Sequence, residues 1–363
     1  MDIGIPAEVH PNEYRVGLTP QGVHLLTQAG HRCYIQRGAG EGAGFRDKDY
    51  ERAGGWIVYA AEEVYSRADL VLKVGSPTLD ELQLLREGQT ICAFWHLAAR
   101  PREITRALLE RHITAIAYET IQRDDGSLPV LRPLSEIAGR MAPQIAARWL
   151  QNDGGGVGVL ISGLPGIPPI DVCIIGAGTV GTNAARAFLG LGARVFVLDK
   201  NLERLQFVDE HFDGRIVTMV AYDFNIARVV KFAHVLVTCV LEPGARAPIL
   251  VTREMVRTMR PRSVILDISI DQGGCVETSR PTTHADPVFI EEGVIHYCVP
   301  NMPGVVARTA THAYLNAAWP YIQMLARDGT QAAIDADPAL RRGVAVHNGQ
   351  IVNRTLAMLL EEA

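Results

Sequence analysis

Short apolar runs alternate along this chain with longer stretches of helical period, and the alternation persists from the first residues to about residue 300. A run too short for a helix and apolar without interruption reads as a strand buried on both faces, the kind that parallel sheets use. The pattern predicts strands at Ile3–Ile5, Cys33–Gln36, Leu70–Val74, Thr90–Phe94 and Thr114–Ala117. A second series follows at Val172–Ile175, Arg194–Leu198, Ile216–Val220, Val235–Cys239, Val264–Ile268 and Val294–Tyr297. Repeated βαβ order makes the predicted fold class α/β, with two Rossmann-like doubly wound parallel-sheet domains and a cleft between two lobes. From about Thr309 only helical patterns remain, and a helical tail without a sheet needs something to pack on. The expected division is therefore residues 1–130 plus 309–363 as one discontinuous substrate domain, and 131–308 as a dinucleotide domain.

One turn between predicted elements carries chemistry. Gly176-Ala177-Gly178-Thr179-Val180-Gly181 follows a buried strand, opens a helix of small residues, and is followed by a second strand ending in Asp199. In a dinucleotide site the first glycine makes the tight turn, the second lets backbone approach a pyrophosphate, and the third lets helix and strand pack closely. The helix N-terminus then faces the phosphates. A carboxylate at Asp199 suits the two ribose hydroxyls and repels a 2′-phosphate, so NAD is favoured over NADP; Lys200 and Arg204 nearby soften that discrimination. The other glycine-rich run, Gly38 to Gly44, precedes a strand-like segment ending in Ala60, lacks the acid, and reads as a flexible surface loop.

Composition narrows the class. With 363 residues, 48% hydrophobic and 21% charged, there is ample material for two cores. A net charge of −5 with scattered cations gives no footprint for nucleic acid or an anionic membrane. The longest apolar stretch, from about Val157 to Ile175, is broken by Pro165, Pro168, Pro169 and Asp171, so no membrane span is expected. The chain opens directly on a strand-like segment, and the cytoplasm is the expected compartment. Six dispersed cysteines without a Cys-x-x-Cys pair read as buried structural thiols, and no metal site is expected.

In open α/β sheets, ligands bind beyond the carboxyl ends of strands, so polar residues closing apolar runs are site candidates. Lys73, His96 and Asp271 qualify. Their plain structural readings are a snorkelling lysine, a hydrogen-bonded histidine and a turn-capping aspartate. Arg15, after the first strand, is a fourth candidate, since arginine grips carboxylates bidentately; its plain reading is an ion pair with Glu8 or Glu13.

Together these motifs resemble alanine dehydrogenase. The resemblance rests on the Gly-Ile-Pro-x-Glu…Asn-Glu-x-Arg-Val opening, the Leu-Lys-Val block ending at Val74, and His96-Leu97-Ala98-Ala99. It extends through Tyr118-Glu119-Thr120, Ser135-Glu136-Ile137-Ala138-Gly139-Arg140, the Gly176 loop, Asp271-Gln272-Gly273-Gly274-Cys275 and Asn301-Met302-Pro303. It implies reversible, NAD-dependent oxidative deamination of L-alanine to pyruvate and ammonia. Arg15 would hold the substrate carboxylate, Lys73 would polarise the carbonyl oxygen, His96 would be the general acid and base, and Asp271 would orient the attacking water. Ser135, Gly176, Gly178, Thr179, Val180, Gly181, Asp199, Arg204, Val240, Leu241, Ile268, Asp271, Arg280, Val299, Asn301 and Met302 would hold the cofactor. A homo-oligomer, commonly a hexamer, is implied as well.

The chain departs from the family pattern in places. Lys-Val-Lys-Glu-Pro is here Lys73-Val74-Gly75-Ser76-Pro77, a family serine aligns with Ala221, and Val-Pro-x-Thr-Ser-Thr is Val306-Ala307-Arg308-Thr309-Ala310-Thr311. Positions where some members hold a metal are Met324 and Asp328 here. These departures leave two alternatives open: a dehydrogenase of another small 2-amino or 2-oxo acid, and a transhydrogenase-like NAD(H)-binding module.

Overall fold

The central strands are apolar on both faces because helices cover both sides of each sheet, and each such fully buried side chain contributes about 1.5–3 kcal/mol. The computed structural model describes residues 1–97, 100–240 and 246–361. It divides into two compact units, Met1–Leu134 together with the chain from Pro303 onward, and Ser135–Met302.

The first unit holds β1 (Asp2–Ile5), β2 (Arg32–Gln36), β3 (Trp56–Val58), β4 (Leu70–Gly75), β5 (Thr90–Phe94) and β6 (Thr114–Ala117). The second holds β7 (Asp171–Ile175), β8 (Arg194–Asp199), β9 (Val217–Val220), β10 (Val235–Thr238), β11 (Val264–Asp267), β12 (Val288–Glu291) and β13 (Val294–Tyr297). On its return to the first unit the chain adds β14 (Val344–His347) and β15 (Gln350–Ile351). The sheet orders are β15-β14-β6-β5-β4-β1-β2-β3 and β12-β13-β11-β10-β7-β8-β9. Pairing is parallel throughout except for β12 on β13, β14 on β6, and β15 on β14. The strand order reverses between β1 and β4 in one sheet and between β7 and β10 in the other, and such reversals open a crevice beyond the carboxyl ends of the strands.

Four features differ from the sequence expectation. The tail is not purely helical: β14 and β15 extend the first sheet, and they escape notice because a four-residue and a two-residue strand carry too little periodicity. The edge strands β3 and β12 are likewise short, three and four residues, so their apolar runs fall below the length that marks a strand. Ile268, expected to end a strand, instead begins the helical turn Ile268–Gln272. The cause is Asp267, whose buried carboxylate accepts hydrogen bonds from Cys275 N at 3.0 Å and Val276 N at 3.2 Å and so folds the chain back on itself.

The Gly38–Gly44 run is also no loose surface loop. Ala39 and Ala43 are buried, and Arg308 Nη1 donates to the carbonyls of Ala43 (3.3 Å) and Gly44 (3.0 Å) while its guanidinium lies over the Phe45 ring. The Arg308 of the divergent segment thus fastens this loop to the returning helix Ala307–Asp328. Another anchor of that helix is Tyr314, whose hydroxyl donates to Val16 O at 2.6 Å. All six cysteines are free thiols, five of them buried. Among the described residues no helix is long and apolar enough to cross a membrane.

Candidate active site

In the second unit, the expected cofactor residues sit on loops leaving the carboxyl ends of β7, β8, β10, β11 and β13. Gly176 takes a φ of +112°, and a Cβ there would lie 2.7 Å from Cys239 O. At Gly181 a Cβ would lie 1.8 Å from Gly176 O, so any side chain would push the helix Thr179–Gly190 off the strand. Gly178, the N-cap of that helix, has nothing within 4 Å of its missing Cβ. Two glycines are thus required by packing and the middle one is bare toward open space, which fits close approach of a pyrophosphate. Thr179 is exposed and Val180 half-buried. Gly139 completes the arrangement: its own missing Cβ would lie 2.4 Å from Val180 O, so the helix Arg132–Leu150, which carries half-buried Ser135, packs tightly on the loop's helix.

Asp199 is buried at the end of β8, and both its oxygens already have backbone partners. Oδ2 accepts from Ala177 N at 2.6 Å, Oδ1 from Asn201 N at 2.8 Å, and Arg204 Nη1 stands 3.9 Å from Oδ2. The carboxylate therefore ties the glycine loop to β8, and its remaining lone pairs fit a ribose hydroxyl. Residues that the sequence reading did not single out build the neighbouring walls. Ser269 Oγ both accepts from Val240 N and donates to Val240 O, each at 3.0 Å. Asp267, also bonded to Thr238 Oγ1 at 2.8 Å, supports the turn that presents Asp271 on its exposed side. Burial pushes the Asp267 carboxyl above its usual range, with Ser279, Thr238 and backbone donors countering part of the shift.

The remaining cofactor candidates are less uniform. Ile268 is half-buried, while Val299 and Met302 are buried in the second unit's hydrophobic core. Arg280 stacks its guanidinium 4.2 Å from the Phe289 ring centroid, and Asn301 adopts a φ of +54° on an exposed turn. Leu241 lies outside the described residues.

In the first unit, the loop after β1, strand β4 and the loop after β5 supply the other candidates, and the turn after β6 supplies a partner for one of them. His96 is exposed, with a φ of +46° that is uncommon for a side chain of its size. Glu119 holds that turn bidentately, Oε1 accepting from His96 N at 2.6 Å and Oε2 from Trp95 N at 3.1 Å. Phe94 lies stacked alongside the imidazole.

Lys73 has a different setting. Its side chain is fully buried, with Nζ 2.7 Å from Glu81 Oε1 and 3.3 Å from Glu8 Oε2. Tyr65 donates to the same Glu81 oxygen at 2.9 Å, and Glu8 also accepts from Val74 N at 2.7 Å. Burial pulls the Lys73 pKa down, but the two carboxylates outweigh it and hold the ammonium above its ordinary 10.5. One ammonium serves two acids unequally: burial leaves Glu8 above 4.5, whereas the closer Lys73 contact takes Glu81 below it in spite of burial. To polarise a substrate oxygen, Lys73 would have to leave one of these carboxylates. Arg15 is buried too, paired with Glu13 through Nε to Oε1 at 2.6 Å and through Nη2 to Oε2. A substrate carboxylate at Arg15 would compete with Glu13.

The profile of the alanine dehydrogenase/PNT N-terminal domain matches residues 4–138, and that of the C-terminal domain matches residues 142–354. The chain belongs to this alanine dehydrogenase/PNT family. Within it, the chain is 48% identical to an alanine dehydrogenase of Methanococcus maripaludis over 358 residues, covering 98% of this chain and 96% of the relative. An alanine dehydrogenase of Mycobacterium tuberculosis is 47% identical over 357 residues, with 98% and 96% covered. Among solved structures, an L-alanine dehydrogenase superposes with a TM-score of 0.95 at 44% identity, covering 100% of this chain and 99% of that one. The α/β architecture of two parallel-dominated sheets is shared with that structure, and a transhydrogenase structure from Sinorhizobium meliloti shares the fold at a TM-score of 0.83 and 24% identity.

Proposed function

We propose that this family member is an NAD-dependent L-alanine dehydrogenase, converting L-alanine and water to pyruvate and ammonia and running in reverse as a reductive amination. The observation that carries the reading is likeness to alanine dehydrogenases along the whole chain, in a protein that keeps His96 and Asp271 exposed at strand ends and Gly178 bare before a helix. The first unit supplies the substrate residues and the second the cofactor residues. When bound, NAD supplies the hydride acceptor for the Cα hydrogen.

The chain's own residues handle protons and charge. His96 takes a proton from the water that attacks the imine carbon and returns one to the departing amine, a task suited to an imidazole. Asp271 orients that water and balances the developing positive charge. Arg15, shared with Glu13, binds the substrate carboxylate. Lys73, whose ammonium also holds Glu8 and Glu81, polarises the substrate's carbonyl oxygen. On the cofactor side, Ser135, the Gly176–Gly181 loop, Asp199, Arg204, Val240, Leu241, Ile268, Arg280, Val299, Asn301 and Met302 form the binding surface. We also propose a homo-oligomer, a hexamer by resemblance, working in the cytoplasm.

The test is absorbance in the NADH band with NAD and a panel of L-amino acids at alkaline pH. Turnover with L-alanine ahead of the others is expected. NAD binding without turnover of any amino acid would refute the reading, and faster turnover of a different amino acid would move the chain to another substrate. For the cofactor, Asp199→Ala is expected to raise the NAD dissociation constant about tenfold or more, through lost ribose acceptance and a loosened loop. Fluorescence titration measures it, and unchanged affinity would remove Asp199 from the site.

A further inference from the structure

We propose that His10 is a specificity-determining residue of this chain, its Nδ1 accepting a hydrogen bond from the ammonium group of the amino-acid substrate. The inference rests on the alanine dehydrogenase reading and adds a contact to it. Its basis is the divergent Gly75-Ser76 pair at the end of β4. A Cβ on residue 75 would lie 2.9 Å from His10 Cδ2 and 3.2 Å from Glu8 Oε2, so the absent side chain is what makes room for the imidazole. Where the resembled pattern has a lysine at this position, this chain has a glycine with a histidine seated against it.

The ring's orientation is fixed by one bond. His10 Nε2 lies 2.7 Å from Ser76 O, and a carbonyl oxygen only accepts, so Nε2 is the donor and in the Nε2–H tautomer Nδ1 is left as an acceptor. Among the described residues Nδ1 has no hydrogen bond, and His10 is only half-buried. It lies on the loop after β1, at the β1–β4 reversal, and the Gly75 it packs on pairs with Phe94, two residues before His96.

Local charge selects the ligand. Glu8 and Glu81 share the single ammonium of Lys73, so the cluster beside His10 has negative charge to spare and favours a cation. An acceptor beside surplus carboxylate suits an amino acid's ammonium and offers nothing to the ketone of a 2-oxo acid. A lysine would do the reverse. The substitution therefore weights the site toward binding the amino acid.

Two substitutions separate this role from a structural one. In His10→Gln the amide nitrogen still reaches Ser76 O but nothing replaces Nδ1, whereas His10→Asn restores an acceptor near Nδ1 and gives up the Ser76 bond. Steady-state kinetics are expected to show KM for L-alanine raised about tenfold in His10→Gln, with kcat, KM for pyruvate and NAD affinity little changed. His10→Asn is expected to stay within about threefold of wild type for the same constant. A wild-type KM in His10→Gln, equal losses in both variants, or a larger loss in His10→Asn overturns the proposal while leaving wild-type alanine oxidation intact. Absence of alanine oxidation in the wild type would instead overturn the underlying function.

Discussion

Replacing His96 by alanine is expected to lower kcat by about 10²- to 10⁴-fold while NAD binds as in the wild type, because general acid–base catalysis is worth about that much. The side chain is exposed, and its own backbone turn is secured by Glu119 through two backbone N–H groups, so removing the imidazole leaves the loop's hydrogen bonds in place. The loss should therefore fall on the chemical step. NAD affinity measured by titration and kcat measured at saturating substrate provide the two readouts. Undiminished kcat would remove His96 from the mechanism, and a parallel collapse of NAD affinity and melting temperature would make it a structural residue. Glu119→Gln offers a graded control, since it weakens the pinning of the turn and leaves the ring.

Lys73→Met is expected to destabilise the fold by about 3–5 kcal/mol, the usual consequence of removing one partner from a buried ion pair. The variant would hold Glu8 and Glu81 with side chains 2% and 7% exposed and no ammonium between them. The sign of the pH response follows. In the wild type the folded-state pKa of Lys73 is raised, so its contribution is whole below pH 10.5 and is lost as pH rises through the folded value. In the variant the two carboxylates are driven upward in the fold, so stability is greatest at acid pH and falls as pH rises from about 4.5. Chemical denaturation across pH separates the cases. A Lys73→Met protein with wild-type stability and a raised KM would leave Lys73 only its substrate role; the triple variant Glu8→Gln, Lys73→Met, Glu81→Gln should recover much of any lost stability and none of the raised KM.

Central strands were legible in the sequence because burial on both faces writes an unbroken apolar run, as at Val172–Ile175 and Val235–Thr238. Strands at the sheet edges were legible unevenly: β9 lies within the predicted Ile216–Val220, whereas β3 shows only as a strand-like run and β12, hemmed in by Pro287 and Glu291-Glu292-Gly293, passes for part of a loop. For the candidate site, the glycine loop was readable down to which glycine is bare, because each has a distinct steric duty. What stayed hidden were the partners. Lys73 meets Glu8 from 65 positions away in sequence, and Glu119 reaches His96 from 23. No local pattern encodes such pairings, and they decide whether a strand-end cation faces substrate or is spent inside. Asp267 was hidden differently: it sits inside an apolar run, where a strand reading absorbs it, while its carboxylate turns the chain that displays Asp271. Glycine at position 75 was visible as a departure, but its meaning depended on His10 folding against it.

Asp199 serves two masters. The carboxylate that would choose between a ribose hydroxyl and a phosphate is the same one that receives the Ala177 amide at the heart of the glycine loop. The proposed coenzyme choice and the loop architecture thereby fall on one residue, and a mutation that welcomed NADP at position 199 would also unfasten the glycine loop. A route to the phosphorylated coenzyme must first give the Ala177 amide another acceptor, two changes of which neither is useful alone. On the role proposed for Asp199, a preference for NAD would follow from how the loop is held as much as from selection at the pocket.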